Sequence, residues 1–384
     1  MKRVYFDNAS TTKTDNEVLN EMLPYFSEYF GNASSVHSQG KTAKVLLEDA
    51  RDTVAAFIGA NPREIFFVNS GTEAANFALK GTAFKFLGTG KRHIITTSIE
   101  HLAVLDTVRY LESKFNFEVT YIRPTSDGKI NAEDIKAAVR PDTFLISVMH
   151  SNNETGNIND IKEITEAANE NNIIMHTDSV QSIGKVRINV KDLNVNFASV
   201  SAHKIYGPKG IAALYIKDRT PVEKFIHGGK QERDMRGGTE NIPAAAGFRK
   251  AVELADSRFQ KDTEHYQILK KHLTEKLKGL FGEYVMFNSD NKNCLPNIIN
   301  VSFDRDNLIY DEEMLLIKLD LKGISVSGGS ACTAGTHKPS HVLLESGRDR
   351  LTALGSLRIS FGRENNTEET DYFAECLKEI IRIK

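Results

Sequence analysis

The chain has 384 residues, of which 40% are apolar and 26% charged, and its formal net charge is -2. These proportions are those of an ordinary globular protein with a substantial core. Basic and acidic residues are interspersed, so the charge pattern indicates neither nucleic acid nor a membrane surface as a partner. No apolar leader or membrane-length apolar run is present, and we therefore expect a cytoplasmic protein.

Apolar strand patterns alternate with amphipathic helix patterns over about the first two-thirds of the chain, which predicts an α/β fold with a largely parallel sheet. The predicted strands are EIFFV (64–68), RHIITT (92–97), FEVTYIR (117–123), FLISVM (144–149), IIMHTD (173–178), FASVS (197–201) and IAALYI (211–216). A charged helix pattern near 255–280 then leads to the strands NIINVSF, GISVS and SLRISF, interleaved with helices. We expect this last third to form a smaller α+β domain.

Three predicted strands end in polar residues, at the edge of a parallel sheet where ligands bind. Gly71 and Thr72 begin a helix and offer amides and a hydroxyl to an anion, although the same turn also caps an ordinary helix. Asp178 ends the strand IIMHTD, and Lys204 follows FASVS, where a solvated lysine is the alternative. Neither a P-loop nor a G-x-G-x-x-G motif is present. A phosphate cradle, a carboxylate and a lysine at neighbouring strand ends suit pyridoxal phosphate.

An ordered series of motifs makes the whole chain resemble the cysteine desulfurases of the NifS/IscS family. These motifs are FDNASTT, SSVHSQG, SGTEAAN, EH at 100, NNETG, HTDSVQS, SAHKIYGPKG, MRGGTEN, GGSACTAG and SLRISFGREN. The resemblance implies a homodimeric fold-type-I pyridoxal phosphate enzyme with a mostly parallel seven-stranded sheet. It places a large domain at 14–255 and a small α+β domain at 1–13 and 256–384.

The implied activity is removal of sulfur from L-cysteine, which leaves L-alanine and a persulfide on Cys332. The resemblance further implies that this sulfur passes to an acceptor protein, for iron–sulfur cluster assembly or tRNA thiolation. A selenocysteine lyase or a transaminase-like enzyme of the same fold would keep Lys204 and Asp178 but would need no thiol on a loop. A non-catalytic binding protein would need none of these residues.

The resemblance also assigns roles around the cofactor. Lys204 forms the Schiff base and moves the proton at Cα, Asp178 keeps the pyridine nitrogen protonated, and His101 stacks on the ring and acts as an acid or base. The other implied cofactor contacts are Gly71, Thr72, Asn153, Gln181, Ser201, His203 and, from the opposite subunit, Thr239. Ser70 and Ala33 depart from the family pattern, which more often has glycine and proline there, and neither has a proposed chemical role.

Arg358 alternates with Leu357 and Ile359 in SLRISF, so it lies on the opposite face of a predicted strand. That pattern fits a solvated arginine on an edge strand as well as a functional group. The resemblance assigns Arg358, together with Asn153, to the substrate, and a planar fork suits the α-carboxylate better than lysine would.

The three cysteines are too few and too scattered for a disulfide framework or a zinc site. Cys376 lies at helical spacing among apolar residues and Cys294 precedes a predicted strand, so both are interpreted as structural. Cys332 lies among small residues in the loop at about 328–341, where a soft nucleophilic thiol has reach and can accept sulfur. As a hypothesis, His337 or Lys338 helps to ionise it.

Overall fold

The computed structural model describes residues 3–289, 292–328 and 338–384. Cys332 and His337 lie outside these residues. The strands are, in chain order, β1 (Val4–Tyr5), β2 (Ile65–Val68), β3 (His93–Thr97), β4 (Glu118–Ile122), β5 (Thr143–Ser147), β6 (Ile174–Asp178), β7 (Phe197–Ser201), β8 (Ala212–Ile216), β9 (Val285–Phe287), β10 (Ile298–Phe303), β11 (Leu308–Ile309), β12 (Ile324–Ser325), β13 (Ser327–Gly328), β14 (Leu357–Ser360) and β15 (Arg382–Ile383).

The α-helices of the same residues cover both faces of one sheet and one face of another. They are α1 (Asn16–Met22), α2 (Pro24–Ser27), α3 (Ser38–Ile58), α4 (Gly71–Phe86), α5 (Leu102–Phe115), α6 (Ala132–Ala138), α7 (Ile161–Glu170), α8 (Val190–Leu193), α9 (Ile242–Ser257), α10 (Phe259–Phe281), α11 (Leu315–Leu321), α12 (His341–Glu345), α13 (Arg350–Leu354) and α14 (Thr367–Ile380). None of these helices combines the length and the apolarity needed to cross a membrane.

Seven strands form the larger sheet, in the order β2-β8-β7-β6-β5-β3-β4. The pairings from β7 through β4 are parallel, whereas β8 runs antiparallel to both β2 and β7. Each of the seven coincides with a strand predicted from the sequence, and the predicted α/β fold with a mostly parallel sheet is confirmed. All except β4 are buried along their whole length, because helices cover both faces.

Successive residues of these strands enter two different apolar clusters, as the period of two requires. In β6, Met175 packs into a cluster with α3, α7 and α9, whereas Ile174 packs into one with α4 and α5. The two clusters hold the sheet between helix layers and leave its strand ends as the places where polar side chains can converge.

The smaller sheet is antiparallel, with the order β13-β14-β10-β9. Its apolar face packs against α10 and α14 in a third cluster that also contains Val4 and Phe6. Since β14 is paired on both sides, the alternative of Arg358 on a solvated edge strand is wrong. The domain boundaries at 13/14 and 255/256 stay a prediction.

Candidate active site

A cavity of about 360 Å³ lies at the carboxyl ends of the central strands and contains most of the predicted site residues. Its wall combines residues that follow the larger sheet's strands with Ala9 and Ser10 near the start of the chain and Arg358 from β14. The lining residues are Ala9, Ser10, Ser70, Gly71, Thr72, His101, Ala103, Met149, Ser151, Asn153, Asp178, Val180, Gln181, His203, Lys204 and Arg358.

Two of the predicted cofactor contacts are not part of this wall. Ser201 is buried at the end of β7, and Thr239 is exposed. The expectation that Thr239 serves the opposite subunit stays a prediction. Lys338 is exposed near the start of the last described segment, and its role beside Cys332 also stays a prediction.

Lys204 lies in a short turn directly after β7, and its amine faces the N-terminal segment. The Lys204 Nζ donates hydrogen bonds to the carbonyl oxygens of Ala9 (2.5 Å) and Ser10 (2.8 Å). Thr12 fixes the same turn, because its backbone N–H and its hydroxyl both donate to the carbonyl of His203, at 3.0 and 2.8 Å. The amine is therefore held at the cavity wall by neutral oxygen atoms.

Asp178 is the last residue of β6 and is buried beside Lys204 and His101. Its Oδ1 accepts a hydrogen bond from the backbone N–H of Val180 at 2.9 Å. Burial raises the pKa of Asp178, and the nearby His101 and Lys204 oppose that rise. A cationic group in the cavity would stabilise the carboxylate further, which is what a protonated pyridine nitrogen offers.

His101 caps the N-terminus of α5, and this fixes its tautomer. The Nδ1 atom accepts a hydrogen bond from the backbone N–H of Ala103 at 3.1 Å, so the proton of the neutral imidazole is on Nε2. Burial lowers the pKa of His101, aided by Lys204 and Arg358 and opposed by Asp178. A neutral imidazole with a donor N–H is therefore the form expected at neutral pH.

The turn before α4 provides the candidate phosphate cradle. Ser70 caps the helix by accepting from the backbone N–H of Glu73 at 3.1 Å, so this departure from the family pattern has a structural function. A Cβ on Gly71 would lie 2.8 Å from the Cγ2 of Val180, which only glycine avoids. The helix start places its free amides and the Thr72 side chain at the cavity, as an anion requires.

Arg358 is 3% exposed, and its guanidinium is held from several sides. It donates to the carbonyl of Asn153 at 2.8 Å, to Oδ1 of Asp7 at 2.9 Å, and to the hydroxyls of Ser10 and Ser327 at 2.6 and 3.2 Å. Leu357 and Ile359, on the other face of β14, enter the core of the smaller sheet as the alternation predicts. The fork is thus fixed at the cavity before any substrate arrives.

The chemistry of this donor set fits a polar, anionic cofactor with an amino acid beside it. Asn153 Oδ1 and Arg358 Nε are buried and have no hydrogen-bond partner within residues 3–289, 292–328 and 338–384. Both residues line the cavity, but these two atoms are closed off from it, so the case for a ligand rests on the donor set of the wall. An amine, a carboxylate and a helix start in the same wall match the three parts of pyridoxal phosphate.

Sequence reasoning missed the residues that connect the N-terminal segment to the site. Asp7 and Ser10 hold Arg358, and the carbonyls of Ala9 and Ser10 hold Lys204. The only signal was the motif FDNASTT, to which no chemical role was given. Any residue provides a backbone carbonyl, so the two contacts of Lys204 with carbonyls could not be predicted from residue types.

Glu154 connects the site to the segment after the proposed cysteine loop. It directly follows Asn153, and its buried carboxylate accepts a hydrogen bond from the hydroxyl of Ser340, the residue that caps α12. His341 donates from Nε2 to the carbonyl oxygen of Glu100 at 3.0 Å. The start of α12 is therefore tied to the two segments that carry Asn153 and His101.

Comparison with known proteins gives consistent relatives over the full chain. The family model for Aminotransferase class-V matches residues 4–373. A cysteine desulfurase IscS of Clostridium botulinum is 46% identical over 383 residues, which covers 99% of this chain and 95% of the relative. A cysteine desulfurase IscS of Methanosarcina thermophila is 44% identical over 381 residues, which covers 99% of this chain and 92% of the relative.

Solved structures agree with these sequence relatives. A NifS-like protein has a TM-score of 0.91 at 39% identity, with 99% of both chains covered. A structure described as SspA in complex with cysteine has a TM-score of 0.83 at 38% identity, with 94% of this chain and 99% of the other covered. This chain therefore belongs to the NifS/IscS family of cysteine desulfurases, within the class-V aminotransferases.

Proposed function

We propose that this chain is a pyridoxal-phosphate-dependent cysteine desulfurase. It breaks the Cβ–Sγ bond of L-cysteine, forms an S–S bond on Cys332 and releases L-alanine. One L-cysteine and one Cys332 thiol thus give one L-alanine and one persulfide, with no other reactant. The observation that carries the proposal is the cavity wall in which Lys204, Asp178 and Arg358 meet. The full-length relatives support the same reaction, because those named above are cysteine desulfurases.

The cofactor would be held by residues of this wall. Lys204 would bind it through Nζ, Asp178 would pair with its ring nitrogen, and Gly71, Thr72 and His203 would hold its phosphate. The family resemblance adds Ser201, which lies outside this wall. Asn153 and Gln181 would contact the ring hydroxyl. When bound, pyridoxal phosphate supplies an electron-accepting ring that stabilises negative charge at the Cα of the substrate.

Lys204 would move the proton at Cα, and His101 would assist at the sulfur. The Lys204 amine donates to the carbonyls of Ala9 and Ser10 and lies near the buried Asp178. It would exchange the carbonyls for the cofactor and then carry the proton at Cα. His101 carries its proton on Nε2, and its lowered pKa keeps the ring neutral, so it would donate a hydrogen bond to the substrate sulfur.

Arg358 would bind the α-carboxylate of L-cysteine. Its fork is buried and already oriented by Asp7 and the carbonyl of Asn153, so little side-chain entropy is lost when the substrate binds. Arg358 lines the cavity wall, and its planar fork suits a carboxylate.

A homodimer is part of this proposal. Between residues 23 and 36, five apolar side chains are exposed by 43% to 89%, and exposed apolar surface is typical of an interaction site. They are Leu23, Phe26, Tyr29, Phe30 and Val36. A second copy of this chain is the proposed partner, because Thr239 is exposed and outside its own chain's cavity, where it can serve another. Sedimentation of Phe30→Asp should show monomers, and an unchanged assembly would contradict this surface.

The persulfide would pass its outer sulfur to an acceptor protein for iron–sulfur cluster assembly or tRNA thiolation. This step follows from the family resemblance. Transfer of labelled sulfur from the loaded enzyme to a purified scaffold or tRNA-thiolating protein would identify the acceptor, and transfer to neither would contradict both assignments.

The decisive experiment is the reaction of the cofactor-loaded protein with L-cysteine and a reducing thiol. We expect equal amounts of alanine and sulfide, with Cys332→Ser slower by at least about 100-fold because the sulfur acceptor is lost. Cys376→Ser is the matched control and should behave as the wild type. No alanine from loaded protein would refute the reaction, and equal rates in wild type and Cys332→Ser would refute the role of Cys332.

A further inference from the structure

A second lysine lies buried behind the turn that carries Lys204, and the proposed chemistry gives it no role. Lys185 is 7% exposed, and its Nζ donates a hydrogen bond to the backbone carbonyl of Lys204 at 3.2 Å. Lysine is rarely buried, because an ammonium loses strong hydration when it leaves water. A buried ammonium on this carbonyl therefore indicates a function for its charge.

The backbone before Lys185 places this residue next to the turn that carries Lys204, called here the lysine turn. Gly184 has φ +68°, and a Cβ there would lie 2.6 Å from the Cγ2 of Ile205, the residue after Lys204. Both the left-handed conformation and the close approach require glycine. The segment after β6 thus packs directly against the turn after β7.

Two tyrosines surround the ammonium. Lys185 Nζ lies 5.7 Å from the ring centroids of both Tyr206 and Tyr266, within the range of a cation–π interaction. The two tyrosine hydroxyls lie 3.0 Å apart, and the backbone N–H of Arg363 donates to Tyr206 at 2.8 Å. The rings are therefore fixed around the charge.

The charged groups near Lys185 come from several elements. Asp262 of α10 and Arg363, which follows β14, form an ion pair at 2.7 Å. Arg187, Lys270, Lys292 and Cys294 line a second cavity of about 410 Å³ together with Lys185. Burial, reinforced by Arg363 and opposed by Asp262, lowers the pKa of Lys185 to about 8.

The lysine turn needs such anchoring because its backbone is strained. Tyr206 has φ +64°, a conformation that an aromatic residue rarely adopts. The backbone N–H of Tyr206 donates to the hydroxyl of Thr12 at 2.8 Å, which holds one end of the turn. The hydrogen bond from Lys185 holds the carbonyl of Lys204 itself.

We propose that Lys185 is a positioning residue for Lys204, whose carbonyl its ammonium holds so that the Lys204 amine faces the cofactor cavity. The inference rests on the proposed function, since it concerns the amine that would bind pyridoxal phosphate. When Lys185 loses its proton, the carbonyl loses a charge-assisted hydrogen bond and the turn relaxes.

The test measures how fast cofactor-free, full-length protein takes up pyridoxal phosphate between about pH 7 and about pH 9.5, which brackets the pKa of Lys185. Uptake is followed by absorbance, and borohydride trapping with peptide mass spectrometry confirms attachment at Lys204. Lys185→Met removes the charge at similar size, and Lys191→Met changes an exposed lysine of α8 as the matched control.

We expect wild type to take up the cofactor about tenfold faster than Lys185→Met at about pH 7, the effect of losing one charge-assisted hydrogen bond. This ratio should fall toward one at about pH 9.5, because wild type is then uncharged too. The control should match wild type throughout. A ratio near one at about pH 7, or a ratio that does not change with pH, would overturn the proposal.

A second variant tests the charge even if Lys185→Met folds poorly. Lys185→Arg stays charged over this pH range, so its uptake relative to wild type should rise severalfold toward about pH 9.5. If the uptake rate of Lys185→Arg relative to wild type does not change with pH, the proposal is overturned. If wild type takes up no pyridoxal phosphate at any pH, the proposed function fails and this inference fails with it, whereas normal wild-type uptake with flat ratios refutes Lys185 alone.

Discussion

The two sheets place their charged site residues in different ways. In the larger sheet, Asp178 ends β6 and Lys204 follows β7, where the chain leaves the sheet. In the smaller sheet, Arg358 lies inside β14, between two paired strands. A side chain at a strand end can meet a ligand directly, whereas one inside a sheet must first be neutralised by protein groups.

The partners of the two cations show the consequence. Lys204 contacts neutral carbonyls, which a ligand can replace at little cost. Arg358 contacts the carboxylate of Asp7, and that bond also joins β14 to the N-terminal segment. The larger sheet thus supplies an exchangeable group and the smaller sheet a fixed one, so substitutions of the two should affect activity and stability differently.

The largest effect on activity is expected from Lys204→Ala. Alanine formation should fall by at least about 1000-fold, since no other group replaces the amine. The free energy of unfolding should fall less than in Arg358→Ala, because backbone carbonyls can bond to water, although the buried Asp178 loses a nearby positive charge. Lys209→Ala, an exposed lysine of the same segment, is the control. A large loss of stability in Lys204→Ala would contradict the description of its amine as exchangeable.

Arg358→Ala should combine loss of activity with the largest loss of stability. Removal of the guanidinium breaks its hydrogen bonds and leaves the carboxylate of Asp7, which is 20% exposed, to the hydroxyls of Ser10 and Ser327, which costs about 2–3 kcal/mol. Urea unfolding measures this cost. Arg358→Lys keeps the charge but loses the fork, so the KM for L-cysteine should rise about tenfold or more. A cost below about 1 kcal/mol for Arg358→Ala would show that the arginine is not a fixed element.

Glu154 follows Asn153, whose carbonyl binds Arg358. It should make the free energy of unfolding depend on pH. Burial raises its pKa to about 7. The folded chain therefore binds this proton more tightly than the unfolded chain, and the contribution is present below the ordinary pKa of glutamate and is lost as the pH rises through about 7. Glu154→Gln keeps a neutral acceptor for Ser340 and should lack this loss.

Between about pH 5 and about pH 8, Glu154→Gln should gain on the order of 2–3 kcal/mol relative to wild type in free energy of unfolding. Urea unfolding at both pH values measures this change, and Glu375→Gln, an exposed carboxylate of α14, serves as the control. A difference that stays constant with pH would show that the Glu154 carboxylate is not protonated on folding.

The smallest effect is expected from Cys376→Ala. Cys376 is buried in α14 against the core of the smaller sheet, as predicted, so loss of its sulfur should cost about 1 kcal/mol. Alanine formation should stay at the wild-type rate. A marked loss of activity with stability unchanged would mean that chemistry extends into this helix.

The larger sheet could be predicted from the sequence because its strands are continuous apolar runs, buried on both faces and separated by helices. The smaller sheet was harder. The predicted strand GISVS is divided in the structure, since Ile324–Ser325 pairs with β1 and Ser327–Gly328 pairs with β14. Which partner takes each half depends on packing between distant segments, and local sequence does not contain that information.

The site, like the fold, could be predicted from the sequence only in part. Asp178, Lys204 and Gly71 were found because strand ends and helix starts have sequence signals. The partners of Arg358 were not found, because Asp7 is 351 positions away and no local pattern connects them. Cys294 was interpreted as the start of a strand region, and the structure adds that its sulfur accepts a hydrogen bond from Lys270 at 2.8 Å.

The contact between Asp7 and Arg358 has a consequence for biosynthesis. The N-terminal segment is translated long before β14, and its contact with Arg358 can form only after β14 has been translated. At about 5–20 residues per second, more than 300 residues of synthesis separate these events, a delay of tens of seconds. Until then the cavity lacks Arg358, so the nascent chain is expected to bind the substrate carboxylate only near the end of translation.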